Sequence, residues 1–587
     1  MAERRGTALD ARGEALLGEV SADRLMEYDR TIAQWVRLSG SEEERKAFDY
    51  VESLARDWGL AVERYAPVCL TSWPGPATLT LLGNGEQPRC ITHSFSTSTG
   101  PGGIEAEVVY LGDGLEADYT GRDVRGKFVL TEGLAGPPKV GPSERHGAAG
   151  VISISGPEIH EMIVSPVWGS PTPDTVDFLP TIPHVSIDRA SGDLLKERLG
   201  QGTLRARVVT EVDTRWRLLP VLVATIAPPA PSDEFVMFSG HIDSWHYGAM
   251  DNGSANATQL EVARILAGHR DLLRREVRFA FWSGHSHARY GSSAWFADEF
   301  WQELHDGCVA HVNIDGPGAI NATVLTEAPT MAETHGFARE LIEYLSDQEL
   351  EYRRIGRMGD QSFWGVGLPA LFCTLSTQGA AESAGGLDTS AIVGGARRRG
   401  GSAWWWHTPD DTMDKIDPAN LARDARILVA TVYRLATDAV LPFDQTAAVD
   451  EVRSALSDIA SRAGNAFDLS GVIAEADALR EAASKLGARC QEPANEAQAR
   501  ALNRAIMAVS RELIPVNYTE HGQFEQDLAL PGQPIPGLRP AVRLAGLPAD
   551  SDERHLLEVK LRRERNRVRA ALIASRRAVE AALAAAG

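Results

Sequence analysis

Apolar and polar positions along this chain follow two periods. Ser41-Glu42-Glu43-Glu44 precedes Phe48, Val51, Leu54, Ala55 and Trp58 on one helical face, so the spacing predicts an amphipathic helix over 41–58 opened by a capping box. Pro- and Gly-rich sequence over 72–103 is read as an interruption. Short β-like runs at 106–111, 127–131 and 150–153 then predict a β-rich module inserted into the domain and closing near Val208. Strand-like text resumes at 218–226.

Three apolar runs follow, each ending in polar residues: 235–238 before Ser239-Gly240-His241, 277–282 before Gly284-His285, and 309–314 before Asp315. Helical patterns follow the first two, which predicts strand–helix–strand units and a parallel sheet. Ligands bind outside the carboxyl ends of such strands, where these polar residues stand. From about Ala447 the pattern is helical to the end, including 556–583, with a Pro/Gly interruption at 531–540.

Charge narrows the functions available. The 587 residues carry 59 Lys plus Arg against 80 Asp plus Glu, a formal net charge of −21. Such a field repels phosphate backbones, so no nucleic-acid partner is expected. No run approaches the roughly 18 apolar residues of a membrane span, and the first residues lack the apolar core of a secretory signal. The expectation is a cytoplasmic protein without a membrane partner. Cys69, Cys90, Cys308, Cys373 and Cys490 are odd in number and scattered, which argues for buried thiols over a disulfide framework or a Cys-based zinc site.

The candidate chemistry begins at His241-Ile242-Asp243-Ser244-Trp245-His246-Tyr247-Gly248-Ala249-Met250-Asp251, an imidazole and two carboxylates just past a predicted strand. Nitrogen and oxygen donors of this kind hold divalent cations, and a second carboxylate can orient a ligating imidazole. Asp315 ends another strand and His407 opens His407-Thr408-Pro409-Asp410-Asp411-Thr412. Singly, each has an ordinary structural use: a strand-end Asp caps a helix, and a lone His packs in a core. Their order and spacing together point to a metal site.

These blocks resemble the zinc exopeptidase family of bacterial leucyl aminopeptidases, glutamate carboxypeptidase II and the transferrin receptor. The match runs in order through Gly240-His241-Ile242-Asp243, Met250-Asp251-Asn252-Gly253, Phe281-Trp282-Ser283-Gly284, Asn313-Ile314-Asp315, Gly359-Asp360-Gln361-Ser362-Phe363 and His407-Thr408-Pro409-Asp410-Asp411-Thr412. The insertion resembles a protease-associated domain through Asp123-Val124-Arg125-Gly126-Lys127 and His146-Gly147-Ala148-Ala149-Gly150. The C-terminal helices are similar to a transferrin-receptor-type dimerisation domain. The resemblance implies an α/β fold with a doubly wound, mixed but mostly parallel sheet. It divides the chain into 1–97 and 213–442 for the catalytic domain, 98–212 for the insertion and 443–587 for a helical domain that forms a homodimer. It also implies one metal, zinc, bound by His241, Asp251 and Asp315, and a second bound by Asp251, His407 and one further ligand, with Asp243 behind His241.

The departure from that family lies between Gly284 and Gly291-Ser292. Where the family has two consecutive glutamates, a general base and a metal ligand, this chain has His285-Ser286-His287. His285 falls in the base slot and Ser286, whose neutral hydroxyl is a poor zinc ligand, in the ligand slot. Three accounts are open: His285 or His287 supplies the missing ligand, one of them is the general base, or catalysis has been lost. One or two cations per chain are consistent with these accounts.

Substrate contacts are expected from His246, Arg289, Tyr290 and Trp406. Trp404-Trp405-Trp406 reads equally as core packing or as an aromatic wall, and Arg397-Arg398-Arg399 as a carboxylate fork or a solvated basic loop. The chain is read as a metallohydrolase, peptidase or amidase, that cleaves an amide or peptide bond in a small substrate, with His285, His287 and Asp243 as its catalytic residues. The competing expectations are a receptor-like binding homologue and a single-metal transferase or cyclase.

Overall fold

A computed structural model describes residues 8–379, 403–491, 493 and 495–586. Its strands in chain order are β1 (Ala61–Tyr65), β2 (Val68–Leu81), β3 (Cys90–Thr92), β4 (Ile104–Tyr110), β5 (Phe128–Glu132), β6 (Gly150–Ile154), β7 (His184–Ile187), β8 (Arg205–Leu218), β9 (Val221–Ile226), β10 (Phe235–His241), β11 (Glu276–Trp282), β12 (Cys308–Asn313) and β13 (Ala370–Leu371). They form a six-stranded sheet in the order β1-β9-β11-β10-β12-β13 and a seven-stranded sheet in the order β2-β8-β4-β5-β6-β7-β3. The expected α/β fold with a mixed sheet, a β-rich insertion and a helical C-terminal region is the one observed.

The first sheet places the site. β10 is buried at every position, as its unbroken apolar run requires of a central parallel strand, and it pairs in parallel with β11 on one side and β12 on the other. The chain leaves β10 through the helix Ala255–Gly268 to reach β11, then crosses to the far side of β10 through Gly291–Glu299 and Trp301–Gly307 to reach β12. The winding direction therefore reverses around β10, and a crevice opens at its carboxyl end.

The expected helix at 41–58 is Glu42–Asp57, capped by the Ser41 side chain accepting from the Glu44 amide. The reciprocal bond of the capping box falls one residue earlier, with Glu44 Oε2 accepting from Gly40 N at 2.7 Å. Of the Pro- and Gly-rich text over 72–103, the first ten residues instead belong to β2, an edge strand paired antiparallel with β8 along most of its length, with a register shift between Pro74 and Ala77. An edge strand tolerates prolines because one row of its amides needs no ladder partner. That pairing starts the insertion's sheet at Val68 and carries it to Leu218, wider than the expected 98–212, since strands this long stay together through their ladder. At the C-terminus, Gln445–Ala463, Ser470–Cys490, Glu496–Tyr518 and Asp552–Ala586 pack as helices, with the short helix Pro536–Gly546 across the interruption. Among the described residues no helix is long and apolar enough to cross a membrane.

Candidate metal centre

His241 closes β10. Its Nδ1 donates to the Asp243 main-chain oxygen at 2.8 Å. A carbonyl can only accept, so the proton of the neutral ring sits on Nδ1 and the Nε2 lone pair is free. That Nε2 is buried without a hydrogen-bond partner, 3.2 Å from Asp251 Oδ1 and 3.7 Å from Asp315 Oδ2. His407 repeats the arrangement from a distant loop: Nδ1 donates to the Glu161 main-chain oxygen at 2.6 Å, and Nε2 lies 3.0 Å from Asp251 Oδ2. The two oxygens of Asp251 thus each face an imidazole nitrogen. Without a cation such a cluster holds protons: burial pushes the His241 imidazole down, but Asp243, Asp251 and Asp315 hold it well above its ordinary value. The backbone of Asp251 is fixed by Asp411, whose two oxygens accept from the Met250 and Asp251 amides at 2.8 and 3.0 Å. Burial pushes the Asp411 carboxyl up to about 7.

Asp243 holds the imidazole through its main chain, and its carboxylate, 3.6 Å from His241 Nδ1, has other work. It accepts from Ser39 Oγ at 2.7 Å, from the Ser286 amide at 2.8 Å and from the His285 amide at 3.3 Å. It therefore shapes the His285-Ser286-His287 turn and acts behind the reacting region instead of in it.

Within that turn the three side chains separate. The His285 ring stacks on His241 with centroids 3.7 Å apart and brings Nε2 to 4.0 Å from Asp315 Oδ2. His241, His285 and Asp315 offer ligand atoms all within 4.8 Å of one another. The Ser286 hydroxyl is buried with no partner. His287 does not join the group: its Nδ1 lies 2.9 Å from Ser39 Oγ, its ring packs on Trp245, and burial pushes it down to about 3. The turn directs the two histidines to different partners, so they do not share one role.

The expected substrate residues also divide. Tyr290 and Trp406 line a cleft of about 140 Å³ beside His285, Asp315 and His407, together with Met162, Ile163, Met250, Ala319, Ala322 and Met358. Trp406 stacks on His407 at 3.5 Å, Trp405 is buried and Trp404 is exposed, so the tryptophan run serves both packing and wall. Arg289 borders the cleft, but its guanidinium donates to the main-chain oxygens of Ser165 and Ile163 at 3.0 and 2.7 Å and clamps the insertion over the site. His246 stands outside the cleft, 3.9 Å from Glu161 Oε1. Arg397-Arg398-Arg399 lie outside the described residues. Asp360, which stands in a block of the resemblance without a role given to it, and Glu161, which no motif marks, support His285 and His407.

Residues 222–432 match the model of peptidase family M28. That segment is similar to peptidase family M28. Among curated proteins, the probable glutamate carboxypeptidase VP8 of Zea mays is 23% identical over 356 residues, covering 49% of this chain and 49% of that protein. The chain thus spans about half the length of that relative. Among solved structures, the aminopeptidase from Aneurinibacillus sp. strain AM-1 superposes with a TM-score of 0.54 at 23% identity, covering 72% of this chain and 96% of that one. The zinc aminopeptidase BSAP from Bacillus subtilis gives 0.51 at 20% identity, with 71% and 96% covered. These likenesses show that the chain shares its fold with those aminopeptidases. The matched segment contains every donor described above, from His241 to His407.

Proposed function

We propose that the protein is a metal-dependent hydrolase that cleaves the C–N bond of a small peptide or amide. The observation that carries this reading is the pair His241 and His407, each with Nδ1 tied to a main-chain carbonyl and Nε2 aimed at a different oxygen of Asp251. Imidazoles held in that tautomer against a shared carboxylate are a donor set for a cation, which we take to be zinc.

When bound, the cation lowers the pKa of a water and polarises the substrate carbonyl. His241, Asp251 and Asp315 would hold it firmly. A second cation would be held by Asp251 and His407, and the family's further carboxylate ligand is Ser286 here, so it is held more weakly. His285, whose Nε2 faces Asp315, accepts the proton of the attacking water and returns it to the leaving nitrogen. The cleft wall of Met162, Ile163, Met250 and Met358 excludes water and takes an apolar group of the substrate.

The mutual approach of His241, His285 and Asp315 favours a second reading, in which His285 is itself a ligand of one cation and the enzyme is a single-metal transferase or cyclase. Metal analysis and product analysis separate the two. Wild-type protein purified without chelators, and the His285→Ala variant, are assayed for zinc content and against aminoacyl p-nitroanilides and N-acyl dipeptides. Hydrolysis by wild type with zinc retained but turnover lost in the variant supports the proton-transfer role. Zinc lost from the variant supports the ligand role, and wild type without bound metal overturns both.

A further inference from the structure

The family resemblance puts a glutamate where this chain has His285, and the two groups have different needs. The oxygens of a carboxylate are equivalent, so either can face the reacting region. An imidazole serves only if its lone pair faces inward, which requires one tautomer and one ring orientation.

The structure supplies a device for that. Asp360 is 1% exposed, and its Oδ2 lies 2.8 Å from His285 Nδ1. Its Oδ1 accepts from Ser293 Oγ at 2.7 Å. Ser293 Oγ is 2.9 Å from Ser362 Oγ, and Ser362 Oγ accepts the indole N–H of Trp168 at 2.8 Å. The protons can be placed one per bond along this chain: Trp168 donates to Ser362, Ser362 to Ser293, and Ser293 to Asp360, whose other oxygen takes the His285 Nδ1 proton. Trp168 comes from the insertion, and its ring also packs at 4.0 Å against Tyr290, which stands edge-on to His285 at 4.7 Å. The insertion thus reaches His285 by a hydrogen-bonded route and by a packed one.

We infer that Asp360 is the positioning residue of His285, holding the proton on Nδ1 and the Nε2 lone pair toward Asp315, with Trp168 of the insertion as its buttress. This rests on His285 acting in the site, as proposed above. Asp360→Asn can present an amide N–H to Nδ1 and so reverse the tautomer, whereas Trp168→Phe keeps most of the packing and loses only the indole donor.

The test uses the full chain. In metal-free, ¹⁵N-histidine-labelled protein, wild type is expected to show a low-field imidazole N–H proton that His285→Ala abolishes, and Asp360→Asn should remove it or shift it upfield. In zinc-loaded protein, Asp360→Asn should lower kcat on an aminoacyl p-nitroanilide by about 10–100-fold with zinc content held and KM little changed, the size typical of losing such a support. Trp168→Phe should lower kcat a few-fold. Should Asp360→Asn fail to fold, Ser293→Ala gives the same reading through a smaller upfield shift of that proton. A low-field signal and kcat unchanged in the folded Asp360→Asn or Ser293→Ala protein overturn the inference while leaving His285 in place. Full turnover by His285→Ala would instead remove the reading beneath it.

Discussion

The two oxygens of Asp251 face different imidazoles, and the surroundings diverge on either side of that carboxylate. On the β10 side, donors come from adjacent strand ends: His241 closes β10, Asp315 follows β12 by two residues, and His285 enters from the turn after β11. On the other side stands His407, carried on a loop and steadied by the insertion through Glu161. The ligand slot that would complete that side holds Ser286, buried and unpartnered. The two replacements thus act on different sides: Ser286 leaves the loop side without a carboxylate, and His285 adds an imidazole to the sheet side. The sheet positions are rigid because three hydrogen-bonded strands fix them.

The largest effect should come from the residue both sides share. Asp251→Ala is expected to empty both positions and to lower turnover on the order of a thousandfold, the several kcal/mol that a cation contributes to charge stabilisation; zinc content and kcat measure this, and retained zinc would break the idea of a shared bridge. Next, the sides should separate. His241→Ala should strip zinc nearly as completely as Asp251→Ala, whereas His407→Ala should retain about one cation per chain and lose on the order of tenfold in turnover. Equal losses from the two substitutions would mean that the sides are equivalent after all.

A third variant rebuilds the weaker side. Ser286→Glu should raise the zinc count by about one per chain, at a cost of about 1–3 kcal/mol for crowding a buried position. Unchanged metal content in folded Ser286→Glu protein would show that the hydroxyl does not face the second position. The smallest expected effect is a pH response of the loop side. Burial pushes the Glu161 carboxyl up to about 8 from 4.5. A carboxyl raised on folding contributes stability that is full below its unfolded value and lost as pH rises through its folded one. Metal-free wild type should therefore lose up to a few kcal/mol between about pH 5 and 9, and Glu161→Gln should flatten that slope in denaturant melts.

Much of the site was legible along the chain because several donors sit at the ends of apolar runs, where a parallel strand must stop. His241, His285 and Asp315 could be read that way, Asp251 and His407 only through the family blocks that contain them, and Tyr290 and Trp406 do face the cleft. Asp360 stood in a block of the resemblance without a role of its own, and Ser39 and Glu161 left no mark. Their partners are 75, 248 and 246 residues away, and a polar residue at that separation looks like any other loop residue. β2 was hidden for a different reason: its prolines signal a break, and only its place at a sheet edge makes them harmless.

The amino-acid sequence alone determined the order of elements, the parallel sheet core and the residue types available to hold a cation, because these follow from local periodicity and from chemistry carried on single side chains. It could not assign roles within His285-Ser286-His287, where three neighbours differ only in direction. Tertiary structure decided that His285 faces Asp315, that His287 turns to Ser39, and that Asp243 braces the turn between them. The reason is geometric: a tautomer and a ring orientation are set by partners from other parts of the chain, and those partners meet only once the sheet and the insertion are in place.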